Sequence, residues 1–378
     1  MPSFDIHPLN QFAGGSTAIN RPREIACFSF DENHEYRPDD SSLQYYYTPD
    51  PDVDLCKGFD SFRELNKAQD DHLDALLKTI LEKERKDGKK TEADFVTWRG
   101  MMTNFMTAPF DRFSNFEMYA TSYQENWTFR SSERVRQTAQ PVSRITGHTQ
   151  AMMAFWGYKF ETLCLIPDIW ANVSRDYIEG REAAQVSNFA QYISVASTKI
   201  GTSSLVLGGE VDCIWDSKHD DPSRPLNWVE LKCQQIPASE DDKVKFERKL
   251  CKIWAQSFLL GVPKIIIGFR TRQGILKYTQ EFATQRIPGD VNKGPYKTWN
   301  GNVCINFTAA ILEWLKATIP RDGTVVKIVK PKNTSTIHIQ EAHGKQQSDI
   351  LSAEFMAWRQ EMAEKQMEEV KEIAELLK

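Results

Sequence analysis

Two short runs, GGEVDC (Gly208–Cys213) and WVELKC (Trp228–Cys233), set charged side chains two residues apart inside otherwise apolar sequence. On a β-strand, side chains two apart share a face, roughly 6.6 Å apart along the chain. Glu210 and Asp212 are therefore expected on one face, and so are Glu230 and Lys232. Their neighbours Val211, Cys213, Ile214 and Trp215, and Trp228, Val229 and Leu231, are residues that favour strands. If the two strands pair, three carboxylates and one ammonium converge on a single patch. Buried charges need partners or a metal.

That combination suits metal-dependent hydrolysis of a phosphoric ester or anhydride. Mg²⁺ binds oxygen at about 2.1 Å and keeps several waters, so it favours a few carboxylates on a rigid scaffold. The ion lowers the pKa of a bound water and neutralises phosphate charge, and two ions can clamp the attacking and leaving oxygens. A lysine beside the carboxylates can orient the water or stabilise developing charge. A further acid, Glu161, lies in the apolar helical stretch FWGYKFETLCL (Phe155–Leu165) and could approach from a helix packed on the sheet.

Each signal also has a plainer reading. Acidic-x-Lys occurs on solvated strand faces, and Glu161 could be an exposed helix carboxylate. Lys245, Lys249, Lys252 and Gln256 follow one another at spacings of four, three and four. They form a polar stripe beside Phe246, Leu250, Ile253 and Ser257, which could track a phosphate backbone or simply face water. Arg99, alone among apolar residues in TWRGMMT, is either the partner of a core carboxylate or a phosphate clamp.

The elements that must position these residues follow from periodicity and stop signals. Helices are expected at Thr149–Cys164 and at Asp241–Gly261, the second ended by its glycine. Strands are expected at 191–200, 204–215 and 227–233, with Lys264–Arg270 (KIIIGFR) as a buried strand after the second helix. Upstream, residues 61–90 hold an amphipathic helix with Leu73, Leu76, Leu77 and Ile80, stopped by Gly88. Its basic end EKERKDGKK reads as a solvated terminus or a nuclear import signal. Residues 116–146 alternate like antiparallel strands, and LQYYYTPDPDVDL (Leu43–Leu55) suggests a surface loop. A helix past Thr308, two strands near 324–330 and 335–340, and a charged helix from Ile350 complete the chain. That last helix carries a stripe of Leu351, Phe355, Trp358 and Met362, suited to folding back or to docking a partner. The expected fold class is α+β, with one catalytic domain over residues 1–345 and a helical extension over 346–378.

Composition narrows the classes further. The 378 residues are 40% hydrophobic and 26% charged, ordinary for a globular protein. No apolar run nears the roughly 20 residues of a membrane span, and the N-terminus lacks a signal-peptide pattern, so an intracellular protein is expected. The seven cysteines have no paired spacing, and no CxxC or HExxH marks a zinc site. A net charge of −5 argues against coating nucleic acid non-specifically, though not against a local basic groove.

Taken in order, FVTWRG with Arg99, GYKFE with Glu161, GEVDC with Glu210 and Asp212, VELK with Glu230 and Lys232, and KIWAQSFLLGV with Gln256 resemble the successive motifs of the DXO decapping exoribonuclease family. The likeness runs from about residue 20 to about residue 330 and includes EIACFS, YYYTP and IIIGFR. It implies two mixed, twisted β-sheets flanked by helices, related to restriction-endonuclease-like PD-(D/E)XK nucleases. It implies action on RNA 5′ ends: release of pyrophosphate from 5′-triphosphate RNA and removal of incomplete or NAD caps, with one or two Mg²⁺ or Mn²⁺ ions.

By the same resemblance, Glu161, Asp212 and Glu230 are metal ligands together with the Leu231 backbone carbonyl, and Glu210 supports them. Lys232 lies at the water and scissile phosphate, and Arg99 and Gln256 hold the RNA phosphate. FLLG with GEVDCIWD is most similar to the fungal nuclear branch that binds and stabilises the main nuclear 5′→3′ exoribonuclease. This implies that exoribonuclease as a partner and the nucleus as the location. A non-catalytic stabilising subunit and a stand-alone cytoplasmic decapping 5′→3′ exoribonuclease are the competing readings. Nudix, HIT and zinc-hydrolase signatures are absent.

Overall fold

The computed structural model describes residues 1–65, 73–132, 148–219, 224 and 226–376. In chain order its first elements are β1 (Ser3–Asp5), β2 (Ile19–Phe30), β3 (Tyr36–Arg37), β4 (Tyr45–Tyr46), α1 (Asp74–Asp87), β5 (Phe95–Trp98) and α2 (Arg99–Thr107). Next come β6 (Phe116–Tyr123), β7 (Asn126–Ser131), α3 (Gln150–Cys164), β8 (Leu165–Ile166), α4 (Arg175–Gly180), β9 (Gln191–Ile200), β10 (Ser203–Glu210) and β11 (Cys213–Ile214). The remainder is β12 (Trp228–Gln235), α5 (Glu240–Leu260), β13 (Lys264–Arg270), β14 (Leu276–Ala283), α6 (Ile287–Lys293), α7 (Gly301–Thr318), β15 (Val326–Lys330), β16 (Thr336–Glu341) and α8 (Ala353–Leu376).

Among the described residues the strands form two mixed sheets. The larger has ten strands in the order β1-β16-β15-β6-β7-β5-β10-β9-β2-β3, the smaller six in the order β14-β13-β12-β11-β4-β8. A main core cluster joins Leu205 and Leu207 of β10, Met102 and Phe105 of α2, Trp254 and Leu260 of α5, and Ile311 of α7. A second cluster packs α3 (Phe155, Trp156, Phe160) against Val229 and Leu231 of β12. The fold class is the α+β arrangement expected.

Local chemistry fixes the helices that carry the site. Thr149 caps α3 by accepting from the Met152 N–H, and Ser239 caps α5 by accepting from Asp242 N–H. Glu240, Asp241 and Asp242 crowd the first turn of α5, where the helix dipole favours negative charge. Gly261, at φ 75°, ends it in the left-handed region.

Two expectations need correction. The single strand 204–215 is two strands in different sheets: Glu210 still pairs with Ile193 in the large sheet, whereas Cys213 pairs with Val229 in the small one. Glu210 and Asp212 therefore do not share a face of one strand; Val211 and Asp212 form the passage between sheets. The tyrosine-rich stretch is a surface loop only in part: residues 48–52 form an exposed turn, with Pro49 buried within it. β4 pairs with β11 and β8, and Leu43, Val53 and Leu55 are buried. Strand pairing with neighbours remote in sequence takes up the tyrosines, while the prolines keep their turn. The early helix begins at Asp74, and residues 66–72 and the 133–146 part of the alternating region lie outside the described residues.

The last helix folds back. Leu351 and Phe355 join the cluster around Leu73, Leu76, Leu77 and Ile80 of α1. Arg359 of α8 donates to Glu84 of α1 at 2.7 Å, both side chains buried. Beyond them Met367, Val370 and Ile373 are exposed. No helix among the described residues is long and apolar enough to cross a membrane.

Candidate active site

β12 is the backbone of the site. Paired antiparallel to β11 and parallel to β13, it turns Glu230 and Lys232 to one side while Val229 and Leu231 enter the core under α3. Asp212 comes from the passage between the sheets, and its Oδ2 accepts the Leu231 N–H at 2.6 Å. Glu210 ends β10 and Glu161 projects from α3. Arg99 opens α2 directly after β5, whose Trp98 pairs with Gly208 of β10, and its side chain lines the same cavity as Glu210. Gly209 permits this closeness: a Cβ there would lie 2.4 Å from Leu260 Cδ1 and 3.2 Å from Arg99 Cβ.

These elements enclose a cavity of about 390 Å³. All seven side chains singled out from the sequence line it: Arg99, Glu161, Glu210, Asp212, Glu230, Lys232 and Gln256. The structure adds four that sequence reasoning missed: Leu65, Tyr158, Asn188 and Gln191. Tyr158 had a usable signal, since it precedes Glu161 by three residues on the same helix. Leu65, Asn188 and Gln191 had none, because distant backbone pairing brings them in. Of the basic stripe, only Gln256 reaches the cavity. Lys249 donates to Gln234 Oε1 at 2.7 Å, and Lys245 and Lys252 are exposed.

The charges form a tight network. Lys232 Nζ lies 2.5 Å from Glu230 Oε1, 3.0 Å from the Leu231 carbonyl oxygen it donates to, and 3.9 Å from Asp212 Oδ2. Arg99 Nη1 donates to the other oxygen of Glu230, Oε2, at 3.1 Å. Arg99 is thus a carboxylate partner that also faces the cavity. Burial opposes charge on Glu230, but Lys232 and Arg99 overcome it and hold its pKa below the ordinary value. Burial likewise works against the Lys232 ammonium, yet Glu230, Asp212 and Glu161 raise its pKa. Burial pushes Asp212 up to about 7, aided by Glu230 and Glu210 against the pull of Lys232. Glu161 rises well above its usual range through burial and the charge of Asp212.

Four carboxylates therefore face two cationic groups, and burial together with mutual repulsion raises the proton affinity of Asp212 and Glu161. Among the described residues no group of three or more His, Cys, Asp or Glu side chains stands ready to hold a metal ion as placed. The donors on offer are all oxygen, in a half-enclosed cavity short of positive charge. That set fits a hard divalent cation.

Two sheets meeting at an acidic cleft, with E-x-K on a buried strand, define a metal-dependent PD-(D/E)XK nuclease. Residues 20–356 match the family of RAI1-like PD-(D/E)XK nucleases, and the chain belongs to it. It is 50% identical over 357 residues to Decapping nuclease RAI1 of Emericella nidulans, covering 94% of this chain and 98% of that protein. Identity to Decapping nuclease RAI1 of Saccharomyces cerevisiae is 33% over 377 residues, covering 92% and 97%. The crystal structure of Candida albicans Rai1 in complex with pU5-Mn²⁺ superposes with a TM-score of 0.86 at 30% identity, covering 96% of this chain and 100% of that one. Scheffersomyces stipitis Rai1 in complex with (3′-NADP)⁺ and calcium ion gives 0.86 at 29%, with the same coverage. Kluyveromyces lactis Dxo1, at 0.58 and 16% identity, shares the fold.

Proposed function

We infer that this nuclease hydrolyses RNA 5′ ends, releasing pyrophosphate from 5′-triphosphate RNA and removing incomplete or NAD caps. The observation that carries the reading is the cavity itself: four carboxylates line one space of about 390 Å³ together with Arg99, Lys232 and Gln256. The relatives captured with pU5-Mn²⁺ and with (3′-NADP)⁺ support it.

Glu161, Asp212, Glu230 and the Leu231 carbonyl would hold Mg²⁺ or Mn²⁺, with Glu210 supporting. The ion, one or two in number, would supply an activated water and neutralise phosphate charge. Arg99 is anchored on Glu230 and still faces the cavity, so it orients a phosphate oxygen without moving. Gln256 offers a neutral amide donor beside it. Lys232 brings positive charge to the scissile phosphate and stabilises the charge that develops on it.

The test is incubation of the purified protein with RNAs of defined 5′ ends, triphosphate, unmethylated cap and NAD cap, in Mn²⁺ or EDTA. Metal-dependent release of pyrophosphate or of the cap nucleotide is expected. No 5′ product from any of them in Mn²⁺ would sink the reading.

A second role rests on a separate surface. Ile169, Trp170 and Tyr177 are exposed, Trp170 at 65%, and none of them lines the cavity. Isolated exposed apolar residues are ordinary, but three within nine residues of sequence, a tryptophan among them, suit a protein partner. With the motif likeness to the fungal nuclear branch, it supports binding and stabilisation of the nuclear 5′→3′ exoribonuclease, and so a nuclear location. Trp170→Ala should lose co-purification with that enzyme while keeping activity on RNA. If even the wild-type protein fails to associate, a stand-alone, cytoplasmic cap-surveillance enzyme remains.

A further inference from the structure

Charged and amide side chains dominate the cavity wall, and among the described residues only Leu65 and Tyr158 offer it an aliphatic and an aromatic surface. Metal and phosphate recognition need neither. A nucleoside does, because its base and sugar expose apolar faces.

Leu65 reaches the cavity on a strip of chain laid along residues 185–189. The Gln185 side chain donates to the Ser61 carbonyl at 2.9 Å, and Arg63 N–H donates to the Val186 carbonyl at 3.0 Å. Arg63 and Ser187 form a parallel bridge, and Asn188 N–H returns to the Arg63 carbonyl at 3.4 Å. The Arg63 guanidinium covers the Phe189 ring at 4.8 Å. At the next step a side chain takes over from the backbone: Leu65 N–H donates to Asn188 Oδ1 at 2.7 Å. Asn188 is buried and lines the same cavity. Phe62, on this strip, packs on Tyr158 with ring centroids 5.3 Å apart. The strip therefore carries one apolar surface and supports the other.

We propose that Asn188 is a positioning residue for the substrate's nucleoside. Its amide oxygen extends the bridge by one residue and fixes Leu65 in the wall of the cavity. The proposal rests on the reading of the cavity as an RNA 5′-end site. A contact made equally by bound substrate and transition state appears in KM and not in kcat. The carboxylates, Lys232 and Arg99 lie on other elements, so metal affinity stays unchanged.

The test is a double-mutant cycle of Asn188→Ala and Leu65→Ala, read in two ways. In Mn²⁺, KM for 5′-triphosphate RNA should rise roughly five- to tenfold in either variant, the size of one apolar contact. The value of kcat should stay within about twofold. In Ca²⁺, the Kd of 5′-phosphorylated U5 should rise in parallel. The decisive result is non-additivity: the double variant binds no worse than the weaker single variant, because Asn188 acts through Leu65. Additive losses, or a fall in kcat with KM unchanged, would overturn the proposal. If Asn188→Ala does not fold, Leu65→Ala keeps every backbone bond of the strip and must alone weaken U5 binding; unchanged binding there overturns it too. The binding arm needs no turnover, so an inactive wild-type protein would count against the functional reading while this cycle still decides the role of Asn188.

Discussion

Lys232 donates its ammonium to the backbone carbonyl of Leu231, the residue directly before it, at 3.0 Å. The same nitrogen lies 2.5 Å from Glu230 Oε1. The lysine thus grips two of the oxygens assigned to the metal, and the two cations draw on one set of donors.

Lys232→Met should therefore separate binding from chemistry. Without the ammonium, the carboxylates have more negative charge to offer, and Mn²⁺ should bind tighter by roughly tenfold, on the order of one close charge pair. Turnover should nevertheless fall by roughly a hundredfold or more, since no group stabilises charge on the phosphate. Calorimetric titration with Mn²⁺ checks the first claim; weaker binding would show that Lys232 organises the ligands more than it competes for them.

Asp212 gives a stability prediction with a definite sign. Its folded pKa is about 7, above the ordinary 3.8. Between those values the folded chain keeps a proton that the unfolded chain has lost, so stability falls as pH rises through this window. Asp212→Asn removes that cost. In EDTA the variant should resist urea better than wild type at pH 8, by a few kcal/mol at most, and match it near pH 4. Saturating Mn²⁺ should reverse the order at pH 8, because only the wild type gains the full binding energy. Turnover should be abolished throughout.

Arg99 and Lys232 together hold the Glu230 carboxyl ionised against its burial. Arg99→Gln leaves one of them, so the proton affinity of Glu230 rises. The acid limb of the pH–rate profile should move to higher pH, alongside a higher KM for triphosphate RNA. An unmoved acid limb would mean that Glu230 does not govern it.

The buried pair Arg359–Glu84 fastens α8 to α1. Removing one partner of a buried pair costs about 3–5 kcal/mol, so Arg359→Met should lower the unfolding midpoint markedly. Deleting the chain after Gln366 removes the exposed Met367, Val370 and Ile373 and should leave the midpoint and RNA hydrolysis unchanged.

What the sequence disclosed follows from range. Glu230 and Lys232 were legible because two residues on one strand obey a period of two, whatever lies around them. Glu161 and Gln256 were legible through helical spacing next to strand signals, and the family motifs ordered them. The break between Glu210 and Cys213 was not legible. An apolar run reads alike whether it continues in one sheet or crosses into another, since partner strands decide that. Asn188 and Leu65 were invisible for a related reason: their link joins a backbone N–H to a side chain across distant sequence.

Between Glu210 and Cys213, Val211 and Asp212 alone carry the chain from the ten-stranded sheet to the six-stranded one. Glu210 stands on the near bank, Glu230 on the far one, and Asp212 at the crossing. An ion held among them would act as a rivet through two plates. Shear between the sheets would then meet resistance at the site of chemistry, and a fold loosened anywhere along that seam would first declare itself as a weaker hold on the metal.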